Sequence, residues 1–372
     1  MFPCPNINNS RRSAFRDVTN NNNVSLGVRK PNMATNMKVN KRKNIPTKNV
    51  LHVVRTKRAP FPMSSSQTSM TTTMKNRDDD ALISRSVPSS NNPPCYQQYI
   101  MGGRKADNID ERDSDNPLSV ADYAENMYQY FRLKERTIQP YIDSQPRINE
   151  KMRSILVDWL TDVHLKFRLV PETLYLTVNI VDRYLEKVKV ERRNLQLLGV
   201  TCLLIASKYE ELYPPEINDL VYICDNVYTR KNIIAFETTI LQALEYRITT
   251  PSPHTFLVRY LKAGHADKRM VQISCYILDE TLLSYGLQIQ YLPSQLAAAA
   301  VFIARRMVNR CPWSPTLLKY TSYMEEEIVP IARTIFAEKK NSSLKNLYST
   351  KRKYSSSRYG NVADNIILEC DF

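Results

Sequence analysis

Glycine is scarce in this chain, with seven in 372 residues. No G-x-G-x-x-G, G-x-x-x-x-G-K-[ST] or G-x-S-x-G is present, which excludes the usual dinucleotide, P-loop and nucleophile-elbow sites. Histidine is scarcer still. His52, His164, His254 and His265 are isolated, there is no H-E-x-x-H, and no base or metal site is evident. The seven cysteines are odd in number, scattered, and never spaced C-x-x-C. That pattern argues against a zinc site or a disulfide framework and suits reduced thiols in cytosol or nucleus. No apolar run approaches the roughly 20 residues of a membrane span. The Met1–Asn6 start lacks the apolar core of a secretory signal, so Asn8-Asn9-Ser10 reads as a chance glycosylation match. Strand signals are nearly absent. These absences point away from an enzyme, a cofactor or a membrane partner and towards a binding module.

The charge that is present is unevenly placed. The formal balance is +15, from 52 Lys/Arg and 37 Asp/Glu. Residues 1–60 carry 13 of the bases against one acid, Asp17, leaving 39 bases and 36 acids in the rest. The basicity belongs to the N-terminal arm, so a basic nucleic-acid-binding fold is not implied. Residues 1–117 are rich in Asn, Ser, Thr, Pro and Lys/Arg without apolar periodicity, and disorder is expected there.

Beyond that arm the periodicity is helical. Val120, Tyr123, Met127 and Tyr130 predict a first helix over 118–134. Further helices are expected over 150–167, from Pro171 to about 188, and over 195–206, 216–223 and 230–246. The uncharged 195–206 segment should be central and surrounded. Thr250-Pro251-Ser252-Pro253 reads as a domain linker. A second uncharged helix over 296–304 follows, flanked by helices near 254–263, 268–285, 315–321 and 324–339. The spacing predicts an all-α fold: two tandem five-helix units, a leading helix and a disordered arm, with an internal duplication. The boundaries are 118–248, 249–360 and a 361–372 tail.

Three sets of residues stand out. Met152, Leu156 and Trp159 share one face of the 150–167 helix, while Ile155, Leu160, Val163 and Phe167 form a second apolar stripe. Spacing alone favours core packing for Met152, Leu156 and Trp159. Glu237 lies on an apolar stripe between Ile233 and Leu241, where a charge is expensive unless paired or partly exposed. Lys208, just past the central helix, is its natural partner. An internal ion pair and a functional one are equally compatible with these positions. Asp182 borders a core stripe between Val178 and Leu185.

Four dispersed motifs then resemble the cyclin box of mitotic cyclins, in that family's order. They are Met152–Leu160, Asp182-Arg183-Tyr184-Leu185, Leu204–Glu211 (Leu-Ile-Ala-Ser-Lys-Tyr-Glu-Glu) and Tyr222-Ile223-Cys224-Asp225-Asn226. The resemblance covers about 118–360. Tyr291-Leu292-Pro293-Ser294, Trp313–Leu317 and Lys353–Ser357 are similar to a B-type rather than an A-type cyclin.

The resemblance implies a regulatory subunit that binds and activates a mitotic cyclin-dependent kinase at the G2/M transition. Lys208 and Glu237 would contact the kinase, with Tyr209, Ile205, Leu241, Tyr246 and Ile248 as apolar surround. Arg153 and Asp182 would form a structural salt bridge within the first box. Met152, Leu156 and Trp159 would form an exposed patch for Arg-x-Leu-type substrates and inhibitors. Asp162 would pair with the peptide's basic residue and Gln196 with its backbone. This division assigns Ile155, Leu160, Val163 and Phe167 to the core.

In the arm, Arg12, Phe15 and Asn20 resemble a destruction box, with Phe15 where Leu is usual. It would direct the chain to the anaphase-promoting ubiquitin ligase, with Lys30, Lys38, Lys41 and Lys43 as acceptors. Lys41-Arg42-Lys43 is either a nuclear-localisation signal or a solvated charge run. Residence in cytoplasm and nucleus is expected. An A-type cyclin and a transcription-initiation factor with tandem cyclin-like folds are the alternatives.

Overall fold

The computed structural model describes residues 105–340 and 347–365. The expected disordered arm lies outside the described residues as far as position 104. The described residues include a folded stretch ahead of Asn116-Pro117. Ile109 is buried, and Asp110 accepts from both terminal nitrogens of Arg259, at 2.5 and 2.6 Å, and from Lys262 at 2.8 Å. These bases lie about 150 positions away, so no local pattern could have announced the strap.

Among the described residues the regular structure is entirely helical. The leading helix is α1 (Ala121–Lys134). The first box holds α2 (Glu150–Phe167), α3 (Pro171–Lys187), α4 (Leu195–Glu210), α5 (Ile217–Ile223) and α6 (Arg230–Ala243). The second holds α7 (Pro253–Ala263), α8 (Lys268–Thr281), α9 (Tyr285–Gln290), α10 (Pro293–Met307), α11 (Pro315–Thr321) and α12 (Glu325–Lys340). Two short helices close the described chain, α13 (Ser349–Tyr354) and α14 (Val362–Asn365).

The helix starts follow capping chemistry. Asn149 caps α2, Ser252 precedes Pro253 of α7, and Ser314 precedes Pro315 of α11; each side chain accepts a backbone N–H of the first turn. The Ser-Pro pairs at 252 and 314 thus punctuate helices. The helix expected over 268–285 ends at Thr281, and a further short helix, α9, follows it. The chain turns at Leu282, and the Ser284 hydroxyl caps α9 by accepting from Leu287 N–H.

The two uncharged helices are the centres of the boxes, as their composition requires. Eleven consecutive residues of α4, Leu197–Ser207, are buried, as is Leu296–Arg305 of α10. Each anchors its own apolar core. The cores meet at a junction, where Val157, Leu174, Tyr175 and Val178 of the first box join the second core and Tyr285 joins the first.

Helix α1 packs on the second box, but not through the stripe that reveals it in the sequence. Ala124 is buried, and Tyr128 and Phe131 lean on the second core, while Tyr123, Met127, Tyr130 and Leu133 are exposed. Arg132 donates to the Thr321 carbonyl at 2.8 Å, and Glu135 accepts from Ser294 N and Oγ. The polar neighbours, rather than the apolar stripe, orient the helix.

Candidate functional site

Helices α4 and α6 pack side by side. Lys208 is the first residue of α4 to reach solvent after the buried run. Its Nζ donates to Glu237 Oε1 of α6 at 2.6 Å. The lysine side chain is 47% exposed and the glutamate 14%, so the pair is a surface feature with one shielded end. An ion pair this open contributes little to folding. Around it, Tyr209 is half exposed, with its hydroxyl 2.5 Å from Thr249 Oγ1. Tyr246 is 64% exposed and follows α6 on a turn in which Glu245 and Tyr246 both adopt left-handed backbone, φ 54° and 58°. Its N–H donates to the Leu241 carbonyl, and Arg183 donates to the neighbouring Arg247 carbonyl at 2.6 Å, which holds the turn in place.

The structure therefore pairs Lys208 with Glu237, leaves Tyr209 and Tyr246 exposed, and half-buries Glu237 and Leu241 along α6. Ile205 and Ile248 are different: both are buried in the first core. They support the surface from beneath and do not line it.

The expected docking patch needs a larger correction. Leu156 is 0% exposed and Met152 is buried; both belong to the first core. The Cβ that Gly199 lacks would lie 2.7 Å from Leu156 Cδ1, so α4 crosses directly over this side chain. Ile155, assigned to the core, is only half-buried. Leu160 and Val163 are buried as expected, and Phe167 packs half-buried against the same core. The reason is that α2 is covered from several sides, by α3 and α4 within its box and by α13 from the far end of the chain. Of the apolar trio only Trp159 reaches partial exposure, as do Gln196 and Asp162. Asp162 is engaged by Arg352 of α13.

Arg153 and Asp182 form the bidentate pair expected, at 2.7 Å for both contacts and with both side chains buried. Their setting is wider than one box. Arg153 also donates to the Leu282 carbonyl of the second box at 2.9 Å, and the Tyr141 hydroxyl donates to Asp182 at 2.7 Å. Burial opposes the guanidinium charge, but Asp182 outweighs it and the Arg153 pKa is raised.

A second buried charge cluster was not anticipated. Asp279 of α8 accepts from Lys353 Nζ at 2.7 Å, Tyr354 OH at 2.9 Å and Tyr175 OH at 2.6 Å. In the sequence the Lys353-Tyr354 dipeptide stands out only through its resemblance to the family. That it carries the anchor of α13 depends on a partner 74 positions away.

No group of His, Cys, Asp and Glu placed to hold a metal occurs among the described residues. No described helix is long and apolar enough to cross a membrane. Burial pushes the thiols of Cys224 and Cys275 up to about 12, the opposite of what a reactive cysteine needs. The destruction-box residues Arg12, Phe15 and Asn20 lie outside the described residues.

Two tandem all-helical boxes, each around an apolar central helix, are the architecture of the cyclin class. Residues 126–249 match the family described as "Cyclin, N-terminal domain", and residues 251–365 match "Cyclin, C-terminal domain". Cyclin-B1-4 of Arabidopsis thaliana is 46% identical over 259 residues, 68% of this chain and 67% of that protein. G2/mitotic-specific cyclin-2 of Antirrhinum majus is also 46% identical, over 68% of this chain and 59% of its own length. The chain thus spans about three fifths of the length of the Antirrhinum relative. A viral cyclin from herpesvirus saimiri shares the fold, with a TM-score of 0.53 at 21% identity over 61% of this chain and 98% of that one. The chain belongs to the cyclin family, among its G2/mitotic-specific B-type members.

Proposed function

We propose that this chain is the regulatory subunit of a mitotic cyclin-dependent serine/threonine kinase, which it binds and activates at the G2/M transition without supplying a catalytic residue. The observation that carries this is the Lys208–Glu237 pair, open to solvent at its lysine end, with Tyr209 next in sequence and Tyr246 after α6 both exposed. The pair contributes little to folding, and its lysine end is open to a partner. Its leverage would be differential affinity for the active kinase conformation. Holding the kinase's mobile helix inward completes the Lys–Glu pair that positions the ATP phosphates.

Arg-x-Leu-type substrates and inhibitors would dock beside Trp159 and Gln196, with Asp162 meeting the basic residue of the peptide. The buried Met152 and Leu156 would form the floor beneath Trp159. Removal would follow ubiquitin transfer directed by Arg12, Phe15 and Asn20 through the anaphase-promoting ligase. The chain would work in cytoplasm and nucleus.

The test mixes the purified chain with the kinase and measures phosphotransfer to a histone-type substrate. The expected result is strong stimulation, lost in a Lys208→Ala/Glu237→Ala variant whose melting temperature is unchanged. Full stimulation by that variant would sink the interface.

A further inference from the structure

Helix α13 carries its residues into a fixed position on both boxes. Lys353 and Tyr354 are anchored in the buried Asp279 cluster. Ser349 and Thr350 are buried, and the Ser349 N–H donates to Asp158 of α2 at 2.8 Å. Arg352 stands between these anchors and points the other way, with a side chain 45% exposed. Its guanidinium meets Asp162, one turn beyond Asp158 on α2, whose side chain is 28% exposed. Because its neighbours are locked, Arg352 is presented to this carboxylate with little conformational freedom left to lose.

We propose that Arg352 is a built-in competitor for the basic residue of docking peptides and so sets their charge selectivity. This rests on the reading of the Trp159 surface as a peptide-docking site. An arginine side chain supplied by the chain itself stands where the arginine of an incoming peptide would bind, satisfying the same carboxylate with the same chemistry. A peptide arginine must displace it, whereas a peptide with a neutral residue there leaves the internal pair intact. The apolar part of the motif, received beside Trp159, is unaffected. The wild-type chain therefore discriminates weakly between Arg-x-Leu and Ala-x-Leu peptides, and loss of Arg352 sharpens that discrimination. The internal pair is partly exposed, so its hold is modest and a peptide can win.

The experiment uses the full chain and two fluorescent peptides that differ only in Arg-x-Leu against Ala-x-Leu, read by anisotropy. The ratio of their dissociation constants is the measured quantity. Arg352→Gln is expected to raise the preference for arginine by about two- to fivefold, the range that a partly exposed ion pair of up to about 1 kcal/mol spans. Arg352→Lys, which keeps the charge, should stay near the wild-type ratio, and Asp162→Asn should bring the ratio close to one with or without Arg352. An unchanged ratio in Arg352→Gln, with both peptides still binding, overturns the competitor while leaving the docking site standing. If neither peptide binds the wild type or Arg352→Gln, the docking site itself is refuted and the competitor with it.

Discussion

His164 on α2 shows how a single side chain couples stability to pH. It is buried, with Nε2 2.8 Å from the Val170 carbonyl and no partner at Nδ1. That geometry suits the neutral ring with its proton on Nε2. Burial, reinforced by the nearby Lys353 ammonium, holds its pKa below the ordinary 6.5, although Val170, Asp279 and Glu211 pull the other way. The unfolded chain therefore takes up a proton near pH 6.5 that the folded chain refuses. The stabilisation is fully present above that pH and is lost as pH falls through and below it. Melting temperatures measured between pH 7.5 and 5.5 should fall towards the acid end, and His164→Gln should flatten that slope. A slope unaltered by the substitution would mean that other groups carry it. In the sequence His164 stands as an isolated histidine: Val170 is six positions away, but the charged groups that act on it, Lys353, Asp279 and Glu211, come from far along the chain.

At the scale of elements, α4 crosses closely over α2 at Gly199 and Leu156. Glycine inside a helix ordinarily weakens it relative to alanine. At Gly199 the added methyl would meet Leu156, which is fully buried. Gly199→Ala should therefore destabilise, by roughly 1–3 kcal/mol from overpacking less the helix-propensity gain. A urea midpoint that moves upward instead would show that Leu156 can repack.

The elements were legible in proportion to how local their signals are. The uncharged stretches of α4 and α10 announce central helices, since a segment without a charge has no face to offer water. Helix α8 ends four residues before the periodicity suggests and α9 has no sequence signal of its own, because the break depends on one serine cap inside an otherwise helical pattern. Helix α13 was missed because two of its six residues, Lys353 and Tyr354, are buried against Asp279, which no spacing rule connects to them.

For the whole molecule, the decisive feature is that the two boxes share their most buried charges. Arg153 holds Asp182 in its own box and the Leu282 carbonyl in the next, and Ser154 donates to Leu283 at 2.7 Å. Removing one member leaves the other charged and dry, which typically costs about 3–5 kcal/mol. Arg153→Met should therefore lower the denaturant midpoint of both boxes together, in one transition. Separate transitions, with only the first box weakened, would show the junction to be dispensable.

What the sequence by itself determined is the all-helical class, the duplicated plan, the central helices and the family. Each rests on periodicity or on the order of short motifs, which are properties of neighbouring residues. The Lys208–Glu237 pairing was also within reach, since both ends stand out along their own helices. The tertiary structure alone decided which faces stayed open. Periodicity states that Met152 and Leu156 share a face with Trp159, but not what lies against it. Helix α4 covers Leu156, and Arg352, 190 positions away, reaches Asp162. Burial is a property of the partner as much as of the residue, and those partners meet only once the chain has folded.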